Sequence, residues 1–75
     1  MDKQIKEQKI KLWKKQEEEL KQQLAETFKR KGAAAQEGDL SENAAYTGAI
    51  EESEVITVRL NTIQKMIQDL EKGGE

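Results

Sequence analysis

The sequence predicts an all-α protein, an antiparallel two-helix coiled-coil hairpin with its functional tip at residues 38–43. Three features carry that prediction. Tyr46, Ala49, Ser53, Ile56, Leu60, Ile63, Ile67 and Leu70 follow one another at alternating spacings of 3 and 4, an unbroken heptad seam. Ile10, Trp13, Glu17, Leu20, Leu24, Thr27, Lys31 and Ala34 form a second seam with the same alternation. The two seams are mirror images. Leu70 answers Ile10, Ile67 answers Trp13, Leu60 answers Leu20, Ile56 answers Leu24, Ser53 answers Thr27 and Tyr46 answers Ala34, each pair equally distant from residue 40. One long helix in a parallel dimer has no need of such symmetry; a chain that doubles back on itself has.

The elements follow in order. Helix 1 is expected over about residues 3–37, a turn over 38–40, helix 2 over about 40–71, and a frayed end over 72–75. At ~1.5 Å per residue each arm is roughly 45–50 Å long. The first seam is the less regular one, with Glu17 and Lys31 on it and Phe28 just beside it. The long stems of Glu17 and Lys31 can lie along the seam with their charged heads in water. Gly38 can take the left-handed conformation that ends a helix. Asp39, followed three residues later by Glu42, fits a capping box for helix 2. Gly32 and Gly48 weaken the helices by about 1 kcal/mol each relative to Ala. Near the tip, such small residues are expected to let the arms approach and keep the end slender.

Composition narrows the function classes. The chain of 75 residues makes one small domain, 35% hydrophobic and 37% charged, with Trp13, Phe28 and Tyr46 its only aromatics. That suits a two-helix seam and not a layered core. Proline, cysteine and histidine are absent from the sequence. No helix is forced to break, and disulfides, thiol catalysis, imidazole acid–base chemistry and ordinary zinc sites are excluded. No apolar run approaches the ~20 residues of a membrane span and no signal peptide is visible, so a cytoplasmic protein without membrane contact is expected. Residues 1–37 hold 10 Lys/Arg against 7 Asp/Glu, whereas residues 38–75 hold 3 against 8. The arms attract one another. This balance argues against duplex DNA as the main ligand, which calls for a concentrated basic face.

Asp39 and Glu42 are the one compact acidic pair at a special position. Their spacing alone admits two readings. As a capping box they satisfy helix N–H groups and the positive end of the dipole. As metal ligands they are incomplete, because Mg2+ bound through one or two carboxylates draws its remaining ligands from water or phosphate. They complete such a site only inside a partner. Lys29-Arg30-Lys31 lies below the tip on helix 1. Three consecutive helical residues spread over about 200°, so they do not form one stripe, and by themselves they read as a solvated basic segment facing the acidic second arm. Glu17-Glu18-Glu19 reads as solvated surface and Trp13 as core. Val55, Val58 and Met66 fall off the seam of helix 2 and hint at burial against another copy or another domain.

The stretch Gly38-Asp39-Leu40-Ser41-Glu42-Asn43-Ala44-Ala45-Tyr46 resembles the hairpin tip of the bacterial Gre transcript-cleavage factors, Gly-Asp-Leu-x-Glu-Asn-Ala-x-Tyr. The similarity spans essentially the whole chain as that family's N-terminal coiled-coil domain. The resemblance implies a transcription elongation factor module that enters the secondary channel of bacterial RNA polymerase and stimulates cleavage of backtracked RNA. It implies no enzyme in its own right, since the polymerase active site does the cutting. Carried over, Asp39 and Glu42 would be the catalytic and metal-holding carboxylates, sharing Mg2+ with the polymerase and holding none in the free protein. Gly38, Leu40, Ser41 and Asn43 would shape the tip against the partner, and Tyr46 would brace it. Lys29 and Arg30 would contact the partner or the 3′ end of the nascent RNA.

Two departures stand out. The family's globular C-terminal domain has no counterpart in these residues, and Ala45-Tyr46-Thr47-Gly48 lacks an acidic residue and an alanine-rich continuation after the motif. Two alternatives therefore remain. One is a channel-binding inhibitor of the polymerase. The other is a purely structural hairpin that homodimerises into a four-helix bundle.

Overall fold

The structure, a computed structural model, describes residues 2–38 and 43–73. Two helices account for it, α1 (Lys3–Ala35) and α2 (Ala44–Glu71). They pack antiparallel along their lengths into a rod of 55 × 15 × 13 Å. The all-α hairpin expected from the mirrored seams is the observed fold.

The seam forms as the spacing dictates. Leu20, Ile56, Leu60, Ile63 and Ile67 make one buried cluster, with Trp13 and Leu24 packed against it. Burying each such aliphatic side chain contributes about 2 kcal/mol before entropy is counted. Toward the tip the seam narrows to Thr27, Ala34 and Ala49, all buried, with Ser53 half-buried. Thr27 and Ser53, opposite one another, do not bond each other. Thr27 Oγ1 donates to the Gln23 carbonyl at 2.8 Å, and Ser53 Oγ donates to the Ile50 carbonyl at 2.7 Å. Each hydroxyl is satisfied by its own helix, so the polar pair sits in the seam without an orphaned group.

The two charged seam residues lie as their long stems allow. Glu17 is half-buried, with its carboxylate 4.0 Å from Lys21 Nζ. Lys31 is half-buried, with Nζ 5.9 Å from the centre of the Tyr46 ring, inside cation–π range. Phe28 is half exposed beside the seam.

The helix ends differ from the sequence expectation. At the start of α1, Asp2 is the N-cap, its carboxylate accepting from the Gln4 N–H at 2.7 Å. At the other end α1 stops at Ala35 and not at 37. Gln36 and Glu37 donate to the Ala33 and Ala34 carbonyls at 3.2 and 3.1 Å, a tightening into three-residue turns. Gly38 follows at φ +117°, the positive region that favours glycine. Helix α2 starts at Ala44 and not at 40, because Asn43 is extended (φ −89°, ψ 97°) and is its N-cap. The capping box placed on Asp39 and Glu42 is therefore not the cap of α2. At the C-terminus Lys72 and Gly73, expected as part of a frayed end, still donate to the Gln68 and Leu70 carbonyls.

Gly32 and Gly48 also depart from expectation. A Cβ on either would meet nothing within 4 Å. They are not needed for the arms to approach; they keep that end of the rod thin. Among the described residues, no helix is long and apolar enough to cross a membrane.

Candidate functional site: the tip of the hairpin

The tip is built from the ends of both helices. Asn43 joins them. Its Oδ1 accepts from the Tyr46 N–H at 3.1 Å, which satisfies a free donor at the start of α2. Its Nδ2 donates to the Ala34 carbonyl at 2.6 Å, across the hairpin in the last turn of α1. One half-buried side chain thus caps one helix and ties it to the other. Tyr46 stands on the seam just below, half-buried and beneath the Lys31 ammonium.

The basic segment diverges as helical geometry requires. Arg30 reaches across to α2, with Nη2 at 2.8 Å from Glu52 Oε2 and at 3.1 Å from Thr27 Oγ1. The hydrogen bond and charge of Glu52 raise the pKa of this guanidinium, so it stays cationic. Lys31 lies over Tyr46, while Lys29 points to solvent and forms no ion pair among the described residues.

Of the expected site residues, Gly38, Asn43 and Tyr46 are thus brought together at one end of the rod, with Arg30 and Lys29 lower on α1. Asp39, Leu40, Ser41 and Glu42 lie outside the described residues. The sequence places all four between Gly38 and Asn43, in the segment that joins the helix ends. Among the described residues no group of three or more acidic, histidine or cysteine side chains could hold a metal ion.

Two features escaped the sequence reading. The resemblance gives Asn43 to the surface that meets the partner, whereas in the structure its Oδ1 and Nδ2 both bond within the hairpin. An Asn three residues before Tyr46, at the end of a turn, was the available signal. The Thr27–Arg30–Glu52 bridge needed knowledge of which faces of the two helices adjoin.

A family model described as "Transcription elongation factor, N-terminal", of the GreA/GreB type, matches residues 4–71. The chain belongs to that family. The match spans both helices and the turn, so the hairpin as a whole is the family's N-terminal domain. Comparison with curated proteins and with solved structures gave no match. The Gre-type resemblance read from residues 38–46 is the one the family model finds over the whole rod.

Proposed function

We propose that this Gre-type domain inserts its tip into the secondary channel of bacterial RNA polymerase and stimulates cleavage of backtracked RNA. The supporting observation is a rod only 15 × 13 Å across that turns back at one end, with Asp39 and Glu42 in the turning segment. A long slender hairpin carries side chains to the bottom of a narrow passage, and this one carries two carboxylates.

In this reading the chain is not an enzyme by itself. Asp39 and Glu42 add their carboxylates to ligands that the polymerase supplies. The Mg2+ held there would activate the water that attacks the RNA phosphodiester. Every other part of the chain positions that pair. Asn43 fixes where α1 ends and α2 begins, the seam keeps the arms together, and Gly32 and Gly48 keep the advancing end thin. Gly38, Leu40 and Ser41 form the contact surface in the channel, and Asn43 shapes it from within. Lys29, which has neither an ion pair nor an aromatic contact among the described residues, faces the nascent RNA or the channel wall, and Arg30 reaches it only by leaving Glu52.

The test replaces both carboxylates by amides. Asp39→Asn with Glu42→Gln should leave helicity and melting nearly unchanged, since Asn43 holds the cap of α2. It should abolish stimulation of RNA cleavage in stalled polymerase complexes. Full stimulation by the double amide would defeat the catalytic role. A wild-type chain that slows nucleotide addition without any cleavage would instead be an inhibitor occupying the channel.

A further inference from the structure

The two long flanks of the rod are unlike. One carries the Lys14–Glu71 ion pair and Phe28. The other carries an open apolar groove. Lys9, Leu12, Trp13, Met66 and Asp69 line its basal part, and Trp13, Glu19, Val58, Arg59 and Met66 line the part above. Trp13 and Met66 belong to both parts, so the groove is continuous. Leu12, Val58 and Met66 are 56%, 65% and 36% exposed along it. Most of these residues recur with heptad spacing beside the main seam: Lys9, Leu12 and Glu19 on α1, and Arg59, Met66 and Asp69 on α2. This is a second helix-packing stripe with nothing packed on it among the described residues.

Charge identifies the occupant. Lys9 and Asp69, Leu12 and Met66, and Glu19 and Arg59 line the groove from opposite sides, each pair within about one helical turn of the same height. A two-fold axis running along the rod lays α1 of one copy against α2 of the next at equal height. Lys9 then faces the partner's Asp69, Glu19 faces the partner's Arg59, and Leu12 meets the partner's Met66, each contact made twice. A two-fold axis across the rod instead reverses like helices on one another. Placed at the middle of the rod, where it buries the full length of both copies, such an axis sets Lys9 near Arg30, Glu52 near Asp69 and Leu12 near Glu26, which places like charges together and an apolar side chain against a carboxylate.

We infer that a second copy of this chain covers the groove about an axis parallel to the rod, giving a four-helix bundle with both tips at one end. A bundle with both tips at one end is about twice as wide as the single rod, so a copy must leave the dimer before its tip can enter a narrow channel; the interface itself is made by the flank and is tested without reference to the tip. It resembles the packing of parallel and antiparallel neighbours in helical bundles, where apolar stripes close against one another and edge charges set orientation.

Light scattering on the full chain tests it, at concentrations up to about 1 mM. The mass should rise from 8.6 kDa to twice that value. Met66→Lys should return the monomer with helicity retained; should that variant lose helicity, Leu12→Glu is read in its place. Lys9→Glu should weaken association at least about tenfold, and adding Asp69→Lys should restore it. Orientation is read from spin labels on Glu37→Cys, a unique thiol in a chain without cysteine. Tips at the same end give a separation of about two helix diameters, roughly 20–25 Å. Tips at opposite ends approach the 55 Å length of the rod. A monomer at every concentration, a dimer indifferent to both groove variants, or the long label distance overturns the inference.

Discussion

Asn43 and Ala34 are joined across the mouth of the turn, the Asn43 amide donating to the Ala34 carbonyl at 2.6 Å while its own oxygen caps α2 through the Tyr46 N–H. The two bonds can be separated by substitution. Ser at this position still caps but does not span the hairpin, so Asn43→Ser should lose about 1 kcal/mol. Asn43→Ala loses both bonds and should cost about 2 kcal/mol. Asn43→Asp keeps the cap but sets a carboxylate oxygen against the Ala34 carbonyl, and should cost at least as much as the Ala variant. Thermal melts by circular dichroism give the order; equal melting of Asn43→Ser and wild type would show the cross-hairpin bond to be worth nothing.

Gly32 and Gly48 lie in helices with free space where a Cβ would stand. Gly32→Ala and Gly48→Ala should each stabilise the hairpin by about 1 kcal/mol, raising Tm by roughly 4–8 °C. In the proposed function these same variants thicken the end that enters the channel. A rise in Tm with a fall in cleavage stimulation is therefore expected, and unchanged stimulation would show that the tip has room to spare.

The seam is short, so single core deletions should be severe. Ile56 is 4% exposed in the centre of the cluster. Ile56→Ala should cost about 2–4 kcal/mol, a large share of the stability of so small a domain. Urea melts at dilute protein concentration report it. A cost under about 1 kcal/mol would mean that the seam readily collapses around the gap.

No described cluster can hold a cation, and two tip carboxylates alone are an incomplete site. The free chain should therefore bind Mg2+ no more tightly than about millimolar, measured by titration calorimetry. Micromolar affinity would mean that the tip builds a full site unaided.

What the sequence made legible was set by periodicity. Every seam position from Ile10 to Leu70 is buried or half-buried in the structure, because a heptad read over many turns averages out local exceptions such as Glu17 and Lys31. The turn was harder, since Asp39 and Asn43 are both good cap residues and each has a plausible partner three positions on. Local chemistry does not choose between them. The choice falls to tertiary geometry: the chain must span the distance between two packed helix axes before α2 can begin, and Asn43 is where its side chain also finds the Ala34 carbonyl. The divergence of Lys29, Arg30 and Lys31 was readable from the 100° step of the helix, but that Arg30 would find Glu52 was not.

The mirrored seam has a mechanical consequence. Because partners sit symmetrically about residue 40, removing seven residues from α1 and the matching seven from α2 preserves every surviving contact and shortens the rod by about 10 Å. The domain is in effect a ruler with exchangeable graduations. How far its point travels from whatever grips the base can be set in heptad increments without rewriting either the point or the grip.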